Sequence, residues 1–253
     1  MKNFFVCLMT LASLACQGQF GNRDANNEWD ASWITVPGAP ASDAGLYLFR
    51  KTLHLEAVPS AFEVRVSGDN RYKLYVNGTL VSLGPVLSDI QHWNYETVDL
   101  VPYLKAGDNL VSALVWNEGS LRPVSQFSYR TGFLLQGTDE PIKTLNSDTT
   151  WMCAVDRSYT PIPQRVRGYY AAGAGDRIDM KYQQKGWSDP GFDESEWTAA
   201  VPVFERTARG MGFFNRNAWN LVPSILPPME MTDLRLKPCA KSKVWKSPPV
   251  FPT

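Results

Sequence analysis

The sequence predicts an all-β fold, a two-sheet sandwich or jelly roll, and three observations carry that expectation. Eighteen glycines and eighteen prolines divide the 253 residues into short runs. Those runs alternate apolar and polar side chains with the period of two that belongs to a half-buried strand. Between Trp29 and Gly137 no amphipathic stretch of helical period reaches three turns. With 44% hydrophobic and 20% charged residues the chain has enough apolar material for a core. Its 25 Lys+Arg balance 25 Asp+Glu, which leaves no basic field for nucleic acid and no polybasic signal for anionic lipid, so neither is expected as a partner.

The first element is a targeting segment. Lys2 gives a positive n-region, Phe4 to Leu14 an apolar h-region too short to span a bilayer, and Ser13-Leu14-Ala15 the small residues of a cleavage site before Cys16. Residues 1–16 are therefore expected to be a signal peptide and the chain to be exported: periplasmic, held at the outer membrane as a lipoprotein, or secreted. Cys16 leaves two outcomes open, acylation as a lipid anchor or simple cleavage and release. A lipid anchor is the one membrane contact expected, because no later segment is long and apolar enough to span.

The sandwich is expected over residues 28–137. In Leu46 to Leu55, Tyr47, Phe49, Lys51, Leu53 and Leu55 share one face, apolar but for the lysine. Phe62, Val64 and Val66 alternate with Glu63 and Arg65. Tyr72 to Val76 and Thr79 to Val81 flank Asn77-Gly78, the pair that supplies the two positive-φ residues of a type I′ hairpin. Leu110 to Trp116 is apolar on both faces apart from Ser112, the pattern of a central strand covered on two sides. Thr131 to Gln136 gives one more strand, and Asp99 to Leu104 a single helical turn before the Lys105–Asn109 turn.

Residues 138–205 are expected to form a second, small β segment packed on the first. Asp30-Ala-Ser-Trp33, Asp148-Thr-Thr-Trp151 and Asp193-Glu-Ser-Glu-Trp197 repeat one device: an acidic and a hydroxyl residue shape a turn, and a tryptophan anchors the strand that follows. Tyr169-Tyr170, the Gly173-Ala-Gly175 turn and Trp187 lie in the same segment. Seven prolines with scattered lysines leave residues 206–253 as a linker or tail.

The cysteines define no disulfide framework, because only Cys153 and Cys239 follow the leader. Neither has a ligand-spaced neighbour for a metal, and two histidines without a Gly-x-Ser-x-Gly elbow disfavour both a zinc enzyme and a serine hydrolase. No cofactor is expected. Jelly rolls can hold a structural calcium through carbonyl and carboxylate oxygens, but no acidic loop here has a diagnostic spacing, so calcium stays open.

Several stretches together carry a resemblance. Leu48-Phe-Arg-Lys-Thr52, Val66-Ser-Gly-Asp-Asn-Arg-Tyr72, Leu74-Tyr-Val-Asn-Gly78, Gly84-Pro85, His92-Trp-Asn-Tyr-Glu-Thr-Val-Asp-Leu100 and Val115-Trp-Asn-Glu-Gly119 occur in the order and spacing of one family. Gly175-Asp-Arg-Ile-Asp179, Gly186-Trp187, Phe192-Asp-Glu-Ser-Glu-Trp197 and Leu221-Val-Pro-Ser-Ile-Leu-Pro-Pro-Met-Glu230 continue the series. Over residues 29 to 232 the chain resembles the N-terminal β-sandwich region of bacterial α-L-rhamnosidases. The resemblance implies a galactose-binding-like sandwich and a polysaccharide-degrading glycoside hydrolase. It also implies that hydrolysis of terminal rhamnose belongs to an α/α barrel normally in the same chain, with acidic residues as general acid and base. No stretch resembles that barrel, and the tail after Leu236 departs from the family. The expectation is therefore a truncated or frameshifted product, or an accessory piece, with no catalytic residue to assign.

A glycosidase needs two facing carboxylates, and Asp69, Asp89, Glu96, Asp99 and Glu118 are available, although turn caps and solvated positions account for most such residues. Sugar binding asks only for an aromatic face flanked by amide, guanidinium or carboxylate groups. Asp69, Asn70, Arg71, His92, Trp93, Tyr95, Trp116 and Asn117 are the candidates for it, with rhamnose-containing glycans as ligands. For Trp93 and Trp116 the competing role is core packing, and for Asn70 and Asn117 a turn. Asn77-Gly-Thr79 is formally a glycosylation acceptor, but the hairpin needs Asn77.

Overall fold

The structure, a computed structural model, describes residues 29–140, 142–163, 173–204 and 218–230. The leader with Cys16, Tyr169-Tyr170, Cys239 and most of the expected tail lie outside these residues. In chain order the strands are β1 (Ile34–Thr35), β2 (Gly45–Leu55), β3 (Glu63–Asp69), β4 (Arg71–Val76), β5 (Thr79–Gly84), β6 (Trp93–Asp99), β7 (Gly107–Asn117), β8 (Gly132–Gly137), β9 (Met152–Asp156), β10 (Tyr159–Ile162), β11 (Gly175–Ile178), β12 (Thr198–Ala199), β13 (Val201–Pro202) and β14 (Leu221–Pro223). They form two six-stranded sheets, β13-β1-β8-β3-β6-β14 and β12-β9-β2-β7-β4-β5, and a two-stranded β10-β11 ribbon. The fold is the expected all-β sandwich.

Alternation in the sequence becomes the inner face of each sheet. Tyr72, Leu74 and Val76 of β4 are fully buried, while Arg71, Lys73 and Tyr75 point outward and are half-buried. Tyr47 and Phe49 of β2, Val111, Ala113 and Val115 of β7, Val64 and Val66 of β3, and Phe133 and Leu135 of β8 complete the core between the sheets. β7 pairs with β2 along eleven residues and with β4 on its other side, the central place that its two apolar faces predict. Asn77 has φ +50° and Gly78 φ +83°, as a type I′ turn requires. The Asn77 amide also donates to the Tyr103 carbonyl and accepts the Leu110 N–H, which ties the hairpin to the turn before β7.

Leu134, between two core residues of β8, faces the opposite side of the first sheet. There Trp29, Trp33, Trp93, Tyr95 and Trp219 gather on it as a second core, with Trp33 and Trp219 stacked 4.0 Å apart.

The second half is woven into the first rather than set beside it. β9 and β12 extend the second sheet, and β13 caps the first. β14, from the stretch expected as tail, pairs in parallel with β6. Strands of two or three residues carry no alternation to read, so they leave no period in the sequence; buried tryptophans fix them instead. Trp33, Trp151 and Trp197 each immediately precede a strand, β1, β9 and β12, and all three are buried. Residues 187–197 lie over the outer face of the second sheet. There buried Arg50 donates to the Trp187 and Asp189 carbonyls, pairs with Glu194 at 2.6 Å, and lies against the Phe192 and Trp197 rings.

Candidate functional site

The eight candidate residues separate into a buried and an accessible group. Asp69 is wholly buried and accepts from Ser128 Oγ (2.6 Å), the N–H groups of Tyr129 and Arg130, Trp219 Nε1 (2.9 Å) and Asn70 Nδ2. Burial pushes its carboxyl above the ordinary range while these donors pull it down. Asn70 donates to the Phe127 carbonyl and accepts the Glu118 N–H. Asn117 is equally buried, donating to Ser128 and Thr131 and capping the Gly119 N–H. Trp93 donates to Ser67 Oγ, and Tyr95 meets Trp29 edge-on. All five work inside the scaffold. The hollow beside Asn70 and Trp93, also lined by Pro85 and Phe127, measures about 10 Å³, the room of a single water.

His92 is exposed and pairs with Asp89, which caps the short 3₁₀ turn before β6 by accepting the Gln91 N–H; the histidine bond holds Asp89 below the usual carboxylate range. Asp99 caps the next 3₁₀ turn through the Val101 N–H. Glu96 accepts from the Val86 N–H and the Tyr72 hydroxyl, and burial raises its carboxyl.

Arg71 and Trp116 remain, and the sheet brings them together. They are register partners on β4 and β7, on the outer face of the second sheet. Trp116 is half-buried, with the Arg71 guanidinium and the Lys73 ammonium each 6.0 Å from its ring centre. Arg71 Nε is buried without a hydrogen-bond partner, and its charge acts on both Glu96 and Glu118. Glu118, at the end of β7, is raised by burial and by the Asp176 charge of β11, which also helps push the Tyr159 hydroxyl of β10 up to about 12. Gly173 lies directly against the Glu118 carboxylate, which would have to swing aside for any larger residue there. The result is an aromatic plate bordered by cationic donors and a carboxylate acceptor, chemistry suited to a polyhydroxylated ligand.

Sequence reasoning missed a second feature. A cleft of about 690 Å³ opens between β9, Val36-Pro37 and the residues 182–198, and its lining includes Arg157, Tyr182, Phe192, Glu196 and Trp197. Its residues come from four separated stretches, and no spacing within one of them signals the convergence. Cys153 lies in its floor, buried, with its thiol pushed up to about 11 by desolvation. Among the described residues no group of three or more His, Cys, Asp or Glu could hold a metal, and no helix is long and apolar enough to cross a membrane.

The architecture is that of a two-sheet β-sandwich, with Arg71 and Trp116 side by side on the outer face of one sheet. The chain belongs to the alpha-L-rhamnosidase N-terminal domain family, which it matches over residues 58–232. It is 24% identical over 198 residues to an alpha-L-rhamnosidase of Alteromonas sp. (strain LOR), covering 70% of this chain and 20% of that protein. The chain thus spans about a fifth of the length of the curated relative it matches. Its fold is similar to that of a GH78 family rhamnosidase of Bacillus sp. GL1, with TM-score 0.66 and 24% identity over 79% of this chain and 20% of that one. An alpha-L-rhamnosidase from Dictyoglumus thermophilum follows with TM-score 0.57 and 20% identity, over 79% and 22% of the two chains.

Proposed function

We propose that this chain is the carbohydrate-binding accessory region of an α-L-rhamnosidase. It holds rhamnose-containing glycans for a catalytic α/α barrel in the same protein and hydrolyses nothing by itself. The observation that carries this reading is Trp116, a half-buried indole on an outer sheet face between Arg71 and Lys73, with Glu118 at the end of the same strand. A pyranose lays its C–H face on such a ring, and the surrounding charges take its hydroxyls. Membership of the rhamnosidase N-terminal family supports the accessory role, and the tight hollow at Asn70 and Trp93 directs the ligand to Trp116.

Isothermal titration of the full chain with L-rhamnose and rhamnose-containing pectin oligosaccharides, alongside an aryl-rhamnoside assay on the same sample, tests it. The expected result is binding without turnover, weakened roughly tenfold or more by Trp116→Ala. Saturable release of rhamnose by the pure chain would overturn the non-catalytic part. Wild-type chain that binds none of these glycans would leave the sandwich as a brace for the barrel.

A further inference from the structure

The geometry points to a second carbohydrate site, in the cleft between β9 and residues 182–198, where we infer that a sugar stacks on Tyr182 and is held by Arg157, Glu196 and the open edge of β9. The edge is the least obvious part. Cys153 and Met152 of β9 pair with Thr198 and Ala199 of β12, and the Trp151 carbonyl accepts the Ala200 N–H at 2.8 Å. Antiparallel ladders bond alternate residues to each neighbour, so Trp151 and Cys153 turn their peptide groups toward β12. Val155 is next in that series. On the same register its partner would be Glu196, which lies before β12 begins, so the Val155 N–H and C=O point into the cleft that Val155 lines.

The other groups are placed to complement that donor and acceptor. Tyr182 keeps 51% of its surface exposed; the Lys181 ammonium lies 5.2 Å from its ring centre, so a sugar would stack on the face that the lysine leaves open. Phe192 and Trp197, in edge contact at 5.8 Å, make the wall behind, and Trp197 Nε1 is already engaged by Gln184. Arg157 and Glu196 make no ion pair among the described residues, so a guanidinium and a carboxylate are available to hydroxyls from opposite charges. The volume, about 690 Å³, falls in the range of small-molecule sites. An added peptide strand would need several open backbone pairs, and β9 offers one, so the observations favour a sugar over a polypeptide.

This site is independent of the Trp116 reading, and the experiment separates them. The full chain is titrated with rhamnose-containing pectin oligosaccharides, as wild type and as Tyr182→Ala, Arg157→Ala and Trp116→Ala, with circular dichroism confirming the fold of each. Two binding events are expected in the wild type; Tyr182→Ala and Arg157→Ala each weaken one by roughly tenfold or more and leave the event that Trp116→Ala removes. Loss in the Tyr182 and Arg157 variants with Trp116→Ala unchanged would keep this inference and sink the Trp116 site. Wild-type affinity in both cleft variants, or no binding to these oligosaccharides at all, would overturn it. So would displacement of the sugar from this cleft by an extended peptide of tighter affinity.

Discussion

Asp69 sits in a run, Asp69-Asn-Arg-Tyr72, that reads as a polar cluster for sugar hydroxyls, yet folding spends its oxygens on the protein itself. Ser128 and Trp219, two of its donors, lie 59 and 150 positions away in sequence, so nothing local reveals that the carboxylate is already saturated. Arg71, two residues further on, lies on the outward, half-buried side of β4. Burial therefore separates neighbours that look alike in the sequence. Asp69→Ala leaves the Tyr129 and Arg130 N–H groups and the Trp219 indole without their acceptor, and is expected to cost about 3 kcal/mol or more. Asp69→Asn keeps one acceptor oxygen but turns an amide NH₂ toward donors, so an intermediate loss is expected. Urea unfolding of both variants measures this, and an unchanged midpoint would return Asp69 to the ligand-binding group.

Among the elements, the long strands were legible and the short ones were not. β2 and β4 show their alternation over eleven and six residues, β7 shows a continuous apolar run, and Asn77-Gly78 fixes one hairpin outright. β6 was within reach, since Trp93 and Tyr95 alternate with Asn94 and Glu96, but the same residues read more readily as a sugar-binding cluster. β13 and β14 could not be read from a period, because their positions depend on Trp33 and Trp219 finding a distant core, whereas Trp197 marked the start of β12. The acidic-residue-to-tryptophan device was partly right: Asp148 and Asp193 accept the N–H two residues on, whereas Asp30 pairs with Lys143. The covering segment 187–197 is tied down by Arg50, whose guanidinium binds the Trp187 and Asp189 carbonyls, pairs with Glu194 and lies against the Phe192 and Trp197 rings. Arg50→Met is expected to cost roughly 1–3 kcal/mol, since Glu194 is 36% exposed and can solvate itself while the carbonyls lose a charged donor. Amide exchange should quicken at Asp189 and Trp197 and stay slow in β3 and β8. Unchanged exchange across 187–197 would mean that packing of Trp187 on Tyr75 holds the segment without the arginine.

At the scale of the molecule, both sheets draw strands from both halves of the chain, so the sandwich is completed only when the second half folds back, and its charges titrate as one body. Burial raises Asp69, Glu96 and Glu118, so between the ordinary carboxylate range and their raised values the native state holds more protons than the unfolded chain. Stability from these groups is complete below the unfolded values and falls as pH rises through that window. His54, raised by its bond to Asp108, loses its contribution in the same direction as pH climbs past its own folded value. Asp89 and Asp193 run the other way: held low by His92 and by Ser195, they stabilise above the ordinary range and lose that only as pH falls through their depressed values. The two trends oppose each other below the ordinary carboxylate range, and above it the raised groups alone act, so stability is expected to fall as pH rises from there. Glu96 is the best probe, because Gln at this position keeps an oxygen for the Val86 N–H and removes the titration without emptying the space. Thermal unfolding followed by circular dichroism should give a higher midpoint at pH 5 than at pH 8, with the difference reduced in Glu96→Gln; a wild-type midpoint that rises from pH 5 to pH 8 would show that the buried carboxylates are held ionised by their donors and that desolvation has lost.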